Sequence, residues 1–315
     1  MRITILGAGA MGTLFGGYLS QENDVWLMDV DAGRIAQINA DGARIREKDG
    51  EERRFHPVGV TSSTGLPEMD LILVFVKSMY TLDALSQNQS IIGRNTYLMT
   101  LQNGAGHDAK LLQFADKEHV IIGSTQHNAV ALGNGYSNHG GSGISSIGLL
   151  SGKSAALAPI AQTFNACGIQ CVISDDVKRQ IWNKLFTNTS ASSLTAVLQV
   201  PLEFIYDDPD ARSLMIGLCK EAVAVANAEC SGQFDVQKVV EDVESICKNA
   251  KNGYTSIYAD IKNGRRTEVD TISGSVLEAG DTMGIPVPYH NMVVHLIHAL
   301  ENKAKLMRRE ECENV

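Results

Sequence analysis

The chain has 315 residues, enough for two domains, and its hydrophobic fraction of 44% and charged fraction of 20% are those of an ordinary soluble globular protein. A net charge of −9 argues against nucleic acid, whose phosphates require clustered Lys and Arg; the basic clusters present, Arg265-Arg266 and Lys303 to Arg309, are short and read as solvated faces or helix ends. The first residues run into a glycine motif, not a signal-peptide cleavage site, and no apolar run approaches the ~18 residues of a membrane span, so a cytoplasmic protein without a membrane partner is expected.

The first half alternates short apolar runs with helical patterns. Ile3 to Leu6 reads as a buried strand, Met11 to Ser20 as a helix, Val25 to Met28 as a second strand and Ala32 to Ala40 as a second helix. Leu71 to Val76, Thr96 to Leu101 and Val120 to Gly123 continue the strands, and continuous apolar strands separated by helices imply a parallel sheet covered on both faces. From Gly123 to Asp176 glycines and polar turns dominate. Strand-like Ile144 to Leu150 and Ile169 to Ile173 there, with a helix over Ala155 to Ala166, read as an antiparallel extension of the sheet. Beyond Val177 helical spacing takes over, in Val177 to Gln199, Pro209 to Ala228, Val236 to Asn249, Thr271 to Met283 and Tyr289 to Arg308. Asp175-Asp176 can cap the first of these, Gly284-Ile285-Pro286 ends one, and Pro288 starts the last. The fold class is α/β, an N-terminal Rossmann-like dinucleotide-binding domain over residues 1–176 and an all-helical domain over 177–315.

The cysteines form no CxxC pair and read as reduced buried thiols. Cys167 and Cys171 lack a completing His or Cys pair, so no metal site is expected. His295 and His298 share a helical face, as amphipathic packing also requires.

Gly7-Ala8-Gly9-Ala10-Met11-Gly12 is a GxGxxG motif placed after a strand and opening a helix. Gly7 permits the tight turn, Gly9 lets a pyrophosphate approach the backbone, and Gly12 allows close helix–strand packing, while the helix N-terminus offers N–H groups. A purely structural glycine turn is the alternative. The second strand ends at Asp29, whose carboxylate suits the adenosine ribose hydroxyls and repels a 2′-phosphate. That favours NADH over NADPH, whereas Arg34 is placed to turn toward a phosphate. Asp29 as a plain turn residue, with Asp31 as the helix cap, is the competing reading, and FAD is a cofactor alternative that nothing else in the chain supports.

The second half carries the more specific pattern. Trp182-Asn183-Lys184-Leu185-Phe186-Thr187-Asn188 resembles the W-x-K-L-x-x-N segment of the ketopantoate reductase (2-dehydropantoate 2-reductase) family, and Ser193-Leu194-Thr195-Ala196 its N-P-L-T-A stretch. Thr255 to Ile261, Arg266-Thr267-Glu268-Val269-Asp270 and Gly284 to Pro288 resemble its S-S-M-x-x-D-[IL], R-x-T-E-I-D and G-I-x-[VT]-P motifs. In the first half Val76-Lys77 and Leu101 to Gly106 are similar to its strand-end lysine and Q-N-G-x-G loop. The resemblance runs in order from residue 1 to about residue 301.

The resemblance implies reduction of ketopantoate to (R)-pantoate, a precursor of pantothenate and coenzyme A, with NADPH as the family's usual reductant. It places Lys184 on the catalytic lysine, Glu268 on the substrate-binding glutamate, and Asn188 and Ser256 on residues that hydrogen-bond the substrate. Asn103 and Lys77 fall near the nicotinamide and the substrate carboxylate. It also implies the possibility of a homodimer through the helical domain. The chemistry is coherent on its own terms. Hydride addition builds negative charge on a carbonyl oxygen, which a desolvated lysine ammonium stabilises and protonates. Lys184 and Asn188, four apart, share a helical face. Glu268 suits the distal hydroxyl of ketopantoate and repels anions there. Taken singly, Lys184 reads equally as a solvated helix lysine and Glu268 as a partner for Arg265 or Arg266.

One departure stands out. The family's second asparagine, four residues after the first and followed by proline, is replaced by Ser192-Ser193, and a serine cannot donate and accept as an amide does. Rival readings are a reductase of another 2-keto acid, a relative of the 3-hydroxyacid and glycerol-3-phosphate dehydrogenases, or a non-catalytic NAD(P)-sensing protein.

Overall fold

The computed structural model describes residues 1–230 and 234–313, with side chains through residue 308, so the Cys312 thiol lies outside the described residues. The chain folds as two compact units. One comprises Met1–Gln102 and His107–Gln180, the other Asn103–Gly106 and everything from Ile181 onward.

In the first unit β1 (Arg2–Leu6), α1 (Ala10–Leu19), β2 (Asp24–Met28) and α2 (Ala32–Asp41) form where the apolar pattern predicts them. Three short strands follow that the pattern does not predict: β3 (Ala43–Arg46), β4 (Glu52–Phe55) and β5 (Val58–Val60). The alternation resumes with β6 (Leu71–Val74), α3 (Thr81–Gln87), β7 (Tyr97–Thr100), α4 (His107–Leu111) and β8 (Val120–Thr125). It ends in β9 (Asn128–Gly133), β10 (Tyr136–Gly141), β11 (Ser145–Leu149), α5 (Ala158–Ala166) and β12 (Cys171–Ile173).

The main sheet has the order β12-β11-β8-β7-β6-β1-β2-β5, every pairing parallel except β8 with β11. From β5 to β8 this is the doubly wound Rossmann order, and its direction of winding reverses between β1 and β6, where ligand crevices open in such sheets. Ile3, Ile5, Leu71, Leu73, Met99 and Ile121 line one face of the sheet and Leu6, Ile72, Val74, Leu98 and Val120 the other, so the strands are apolar on both faces, as helix-covered parallel strands must be. The expected antiparallel extension is correct for β11 but not for the whole segment. β12 returns parallel to β11 through α5, and the β9–β10 hairpin joins β3 and β4 in a separate sheet of order β4-β3-β10-β9. This second sheet packs on α1, where a Cβ on Gly17 would lie 3.0 Å from Ile45 and 3.1 Å from Phe55.

The second unit is helical. It contains the end of α6 (Val177–Thr187), a π-helical turn over Asn188–Ser192, α7 (Ser193–Leu198), α8 (Leu202–Asp207), α9 (Pro209–Glu229), α10 (Val236–Ala250), α11 (Ser256–Lys262), α12 (Ser273–Met283) and α13 (Pro288–Glu313). The sequence pattern reads Val177 to Gln199 as one helix, and the π turn interrupts it. Hydroxyls compete with the backbone ladder there: Ser190 Oγ donates to Phe186 O at 2.5 Å and Thr195 Oγ1 to Ser192 O at 2.7 Å. Asp176 and Gly284 act as foreseen, the first accepting from Arg179 N at 3.4 Å and the second ending α12 in the left-handed region at φ 67°. Trp182, Leu185, Phe186, Met215, Leu218, Val243 and Ile297 lie in the core of this unit, and the Trp182 indole donates to Glu229 at 2.9 Å, tying α6 to α9. Among the described residues no helix is long and apolar enough to cross a membrane, and no cluster of His, Cys, Asp and Glu is placed to hold a metal ion.

Candidate active site

The glycine turn sits at the carboxyl end of β1, beside the point where the sheet's winding reverses. Gly7 takes φ 103°, and a Cβ there would lie 2.6 Å from Val76 N; Gly12 packs so closely that its Cβ would lie 1.7 Å from Gly7 O. Gly9 differs, because a Cβ on it would meet nothing within 4 Å. The N-terminus of α1 has no side-chain cap, so N–H groups of its first turn remain for a ligand. An open glycine backed by an uncapped helix start, with Ala8, Ala10 and Met11 between tightly packed glycines, fits a dinucleotide's pyrophosphate.

Asp29 closes the turn from the other side and is tightly held. Its carboxylate accepts from Ala8 N at 2.8 Å, Asp31 N at 3.0 Å and Arg34 Nη1 at 2.7 Å, and its side chain is 11% exposed. Asp31 caps α2 through Arg34 N at 3.0 Å, as the turn-and-cap reading of the pair expects. Arg34 is drawn back between the two carboxylates, with Asp31 at 3.6 Å.

Lys77 follows β6 and is partly buried, its carbonyl accepting from Tyr80 N at 2.8 Å. Next to it lies a residue to which the sequence reading gave no role. Gln102 is buried and donates to Val76 O at 2.6 Å and to Thr81 Oγ1 at 3.0 Å while accepting from Thr100 Oγ1 at 2.9 Å, strapping the ends of β6 and β7 together. A buried amide with every group satisfied fixes the exits of both strands.

The second unit gathers the other expected residues. Lys184 lies in α6 and is partly buried; burial lowers its pKa from 10.5 to about 8, while the nearby Glu268 carboxylate pulls it upward. Asn188 begins the π turn one helical turn beyond Lys184. Ser256 opens α11 directly after Thr255, which caps that helix by accepting from Tyr258 N at 3.2 Å and bonds Thr195 of α7 at 2.8 Å. Asn103 belongs to this unit as well. Its carbonyl accepts from Thr271 Oγ1 at 3.4 Å, and Ala105 N donates to Thr271 O at 2.9 Å, pinning the loop to the turn that follows Glu268. Gly104, at φ 101°, makes this approach possible, since a Cβ would lie 1.9 Å from Thr271 O. Lys184, Asn188, Ser256, Glu268 and Asn103 therefore belong to one packed unit, and Lys77 to the other. Arg266 pairs with Asp270 at 3.5 Å, and His298 reaches the same Asp270 at 2.8 Å, so that histidine does more than pack. Ser192 is buried within the π turn.

A doubly wound sheet with a glycine turn at its switch point, followed by a helical unit that desolvates a lysine beside a glutamate, defines a nicotinamide-dependent oxidoreductase. Residues 3–152 match the family model described as ketopantoate reductase PanE/ApbA, and residues 176–301 match that of its C-terminal domain. The chain belongs to the ketopantoate reductase family. A 2-dehydropantoate 2-reductase of Pyrococcus abyssi is 31% identical over 311 residues, covering 96% of this chain and 100% of its own. One of Halobacterium salinarum is 28% identical over 315 residues, covering 98% and 100%. Among solved structures, D-mandelate dehydrogenase with NADH and anilino(oxo)acetate matches with a TM-score of 0.90 at 32% identity, covering 97% of this chain and 100% of its own.

Proposed function

We propose that this protein reduces 2-dehydropantoate to (R)-pantoate, with Lys184 as the general acid. The observation that carries this reading is the lysine poised at about pH 8 by burial, with Glu268 pulling the other way, inside a chain that matches the family end to end. The bound nicotinamide cofactor supplies the hydride that reduces the keto carbon. Lys184 holds a proton for the oxygen that becomes the hydroxyl and stabilises the charge growing on it. Glu268 accepts from the hydroxyl at the far end of the substrate, Asn188 and Ser256 hydrogen-bond the substrate, and Asn103 and Lys77 serve its carboxylate and the nicotinamide end. Gly7 to Gly12 bind the pyrophosphate.

For the cofactor, NADH is the better fit. Asp29 places a carboxylate at the end of β2, and the Arg34 that a 2′-phosphate would need is held by Asp29 and Asp31. A second reading concerns the substrate: a 2-oxo acid with a bulkier, aromatic side chain. Two observations favour it, the serine at position 192 where the family's asparagine is expected and the likeness to a D-mandelate dehydrogenase. Initial rates with 2-dehydropantoate and with 2-oxo-2-phenylacetate, each with NADH and NADPH, decide both questions. Faster turnover of 2-dehydropantoate supports the first reading. Preference for the aromatic acid, lost on Ser192→Asn, replaces it with the second. Preference for NADPH overturns the cofactor assignment.

A further inference from the structure

The buried face of α13 is aliphatic except at its two ends. Val293, Val294 and Ile297 lie between His290, fully buried, and Glu301, 7% exposed. The two polar residues are eleven positions apart, about three helical turns, and so point the same way roughly 16 Å apart along the axis. Burying an imidazole and a carboxylate in an apolar stripe is costly unless each is fully hydrogen-bonded, and the partners of both lead to the substrate residues.

At one end, Glu301 Oε1 accepts from both Thr267 N and Thr267 Oγ1, each at 2.7 Å. Thr267 is buried and immediately precedes Glu268; its hydroxyl also accepts from Val269 N at 3.2 Å on the other side. The backbone on both sides of Glu268 is thus fixed by one carboxylate on α13. At the other end, Glu221 accepts from Tyr289 N at 2.9 Å, from His290 N at 3.0 Å and from His290 Nδ1 at 2.8 Å, which places the ring proton on Nδ1. His290 Nε2 lies within hydrogen-bond distance of Thr189 Oγ1, at 2.9 Å, and Thr189 Oγ1 donates to Ser273 Oγ at 3.2 Å. Ser273 Oγ reaches Thr189 O at 3.3 Å and Ser193 Oγ at 2.8 Å, and Ser193 Oγ donates to Asn188 O at 3.2 Å. This chain of hydroxyls holds the π turn at the position where Asn188 leaves α6.

We propose that α13 is an alignment helix, in which Glu301 is a positioning residue for Glu268 and His290 a positioning residue for Asn188, so that one rigid rod sets the spacing between the two ends of the substrate. The inference rests on the reading of Glu268 and Asn188 as substrate-binding residues. Neither Glu301 nor His290 touches substrate in this scheme; each acts through its neighbour.

The test is a double-mutant cycle on the intact protein, read as KM and kcat for the 2-oxo acid, NADH dissociation constant and melting temperature. Glu301→Ala is expected to raise KM about tenfold, the order of one lost hydrogen bond to a charged group. It should leave NADH affinity unchanged, and Glu301→Gln, which keeps an oxygen for Thr267, should restore most of the loss. In a Glu268→Ala background, Glu301→Ala should add nothing to KM. Thr267→Val, which keeps the N–H bond to Glu301 and removes the hydroxyl bond, provides a milder variant with the same direction of effect. His290→Ala and Asn188→Ala form the matching cycle at the other end. A lower melting temperature with unchanged KM, or additive effects in the double mutants, overturns the proposal while Glu268→Ala still raises KM. If Glu268→Ala leaves KM unchanged, the reading of Glu268 falls and the proposal with it.

Discussion

A lysine with a pKa of about 8 is a different reagent at pH 9 from one at its usual 10.5, and the difference is measurable. The ligand-free protein is the state that kcat/KM reports. With a single group at about 8, roughly nine-tenths is protonated at pH 7 and about one-tenth at pH 9, so kcat/KM for keto-acid reduction should fall about tenfold across that interval. A lysine at its usual value stays almost fully protonated over the same range and would give a flat profile. Oxidation of the corresponding 2-hydroxy acid needs the lysine free of its proton, so its kcat/KM should rise through the same pKa. Because Glu268 raises the lysine's pKa, Glu268→Gln should move the falling limb of the reduction profile to lower pH. Lys184→Ala should lower kcat by roughly 10² to 10⁴, the usual worth of a general acid, with NADH binding retained. A reduction profile flat from pH 7 to 9 refutes Lys184 as the titrating acid.

The glycine turn separates fold from function. Gly12→Ala, with a Cβ 1.7 Å from Gly7 O, should prevent the turn from closing and lower the melting temperature sharply, whereas Gly9→Ala meets no atom within 4 Å and should leave stability unchanged while weakening NADH binding, measured by fluorescence titration. Gly104→Ala forces a side chain into a left-handed conformation that alone costs about 1–3 kcal/mol, and its Cβ also collides with Thr271 O, so both the unfolding midpoint in urea and KM should suffer. Buried His127 is held down to about 4 by desolvation and then by the neighbouring His139, so the unfolded chain binds the extra proton between pH 6.5 and 4. Stability should therefore fall as pH drops through that window, by about 3 kcal/mol at most from this group, and urea midpoints that do not change between pH 6.5 and 4 would contradict it.

The parts of the fold that the sequence makes legible are those held by local pattern. β1, the glycine turn, α1 and β2 are read correctly because three apolar residues around Thr4, a GxGxxG spacing and a second apolar run occur within thirty residues. β3 escapes because four residues are too few for its alternation to stand out, and β4 because Phe55 is its one apolar residue. Ala43 and Ile45 point inward and Arg44 and Arg46 the other way, and β3 finds its other partner, β10, only about ninety residues later. Such strands are stabilised by the helix they cover, α1, more than by their own composition. The π turn is hidden for a related reason, since Thr189 to Ser193 keep helical spacing and only the hydroxyl bonds of the folded state redirect the backbone. In the candidate site, Lys184 and Glu268 are legible as types in a familiar order. Their energetics are not, because the burial that shifts the lysine comes from the packed unit around it. Gln102 is visible only as the first letter of the Q-N-G-x-G resemblance, with no role attached, and Glu301 carries no signal of its own. Each is an ordinary polar residue until its partners, Val76 and Thr81 for one and Thr267 for the other, close around it.

On the proposed roles of Lys184 and Glu268, the opposing effects on the lysine explain why a carboxylate stands where the substrate's far hydroxyl needs only an acceptor. Burial alone drives the ammonium to lose its proton, and carried further it would leave the lysine neutral at physiological pH, unable to act as an acid or to stabilise an alkoxide. An exposed lysine keeps its proton but donates it reluctantly, with a pKa too far above the working pH for efficient transfer. The Glu268 charge counters desolvation without undoing it, and the balance near pH 8 leaves the lysine mostly protonated yet ready to donate. A neutral acceptor at position 268 would satisfy the same substrate hydroxyl but would remove that counterweight. Glu268→Gln should therefore impair reduction most above neutral pH and least in mild acid, where even a further depressed lysine retains its proton. Rate loss uniform across pH would assign Glu268 to substrate binding alone.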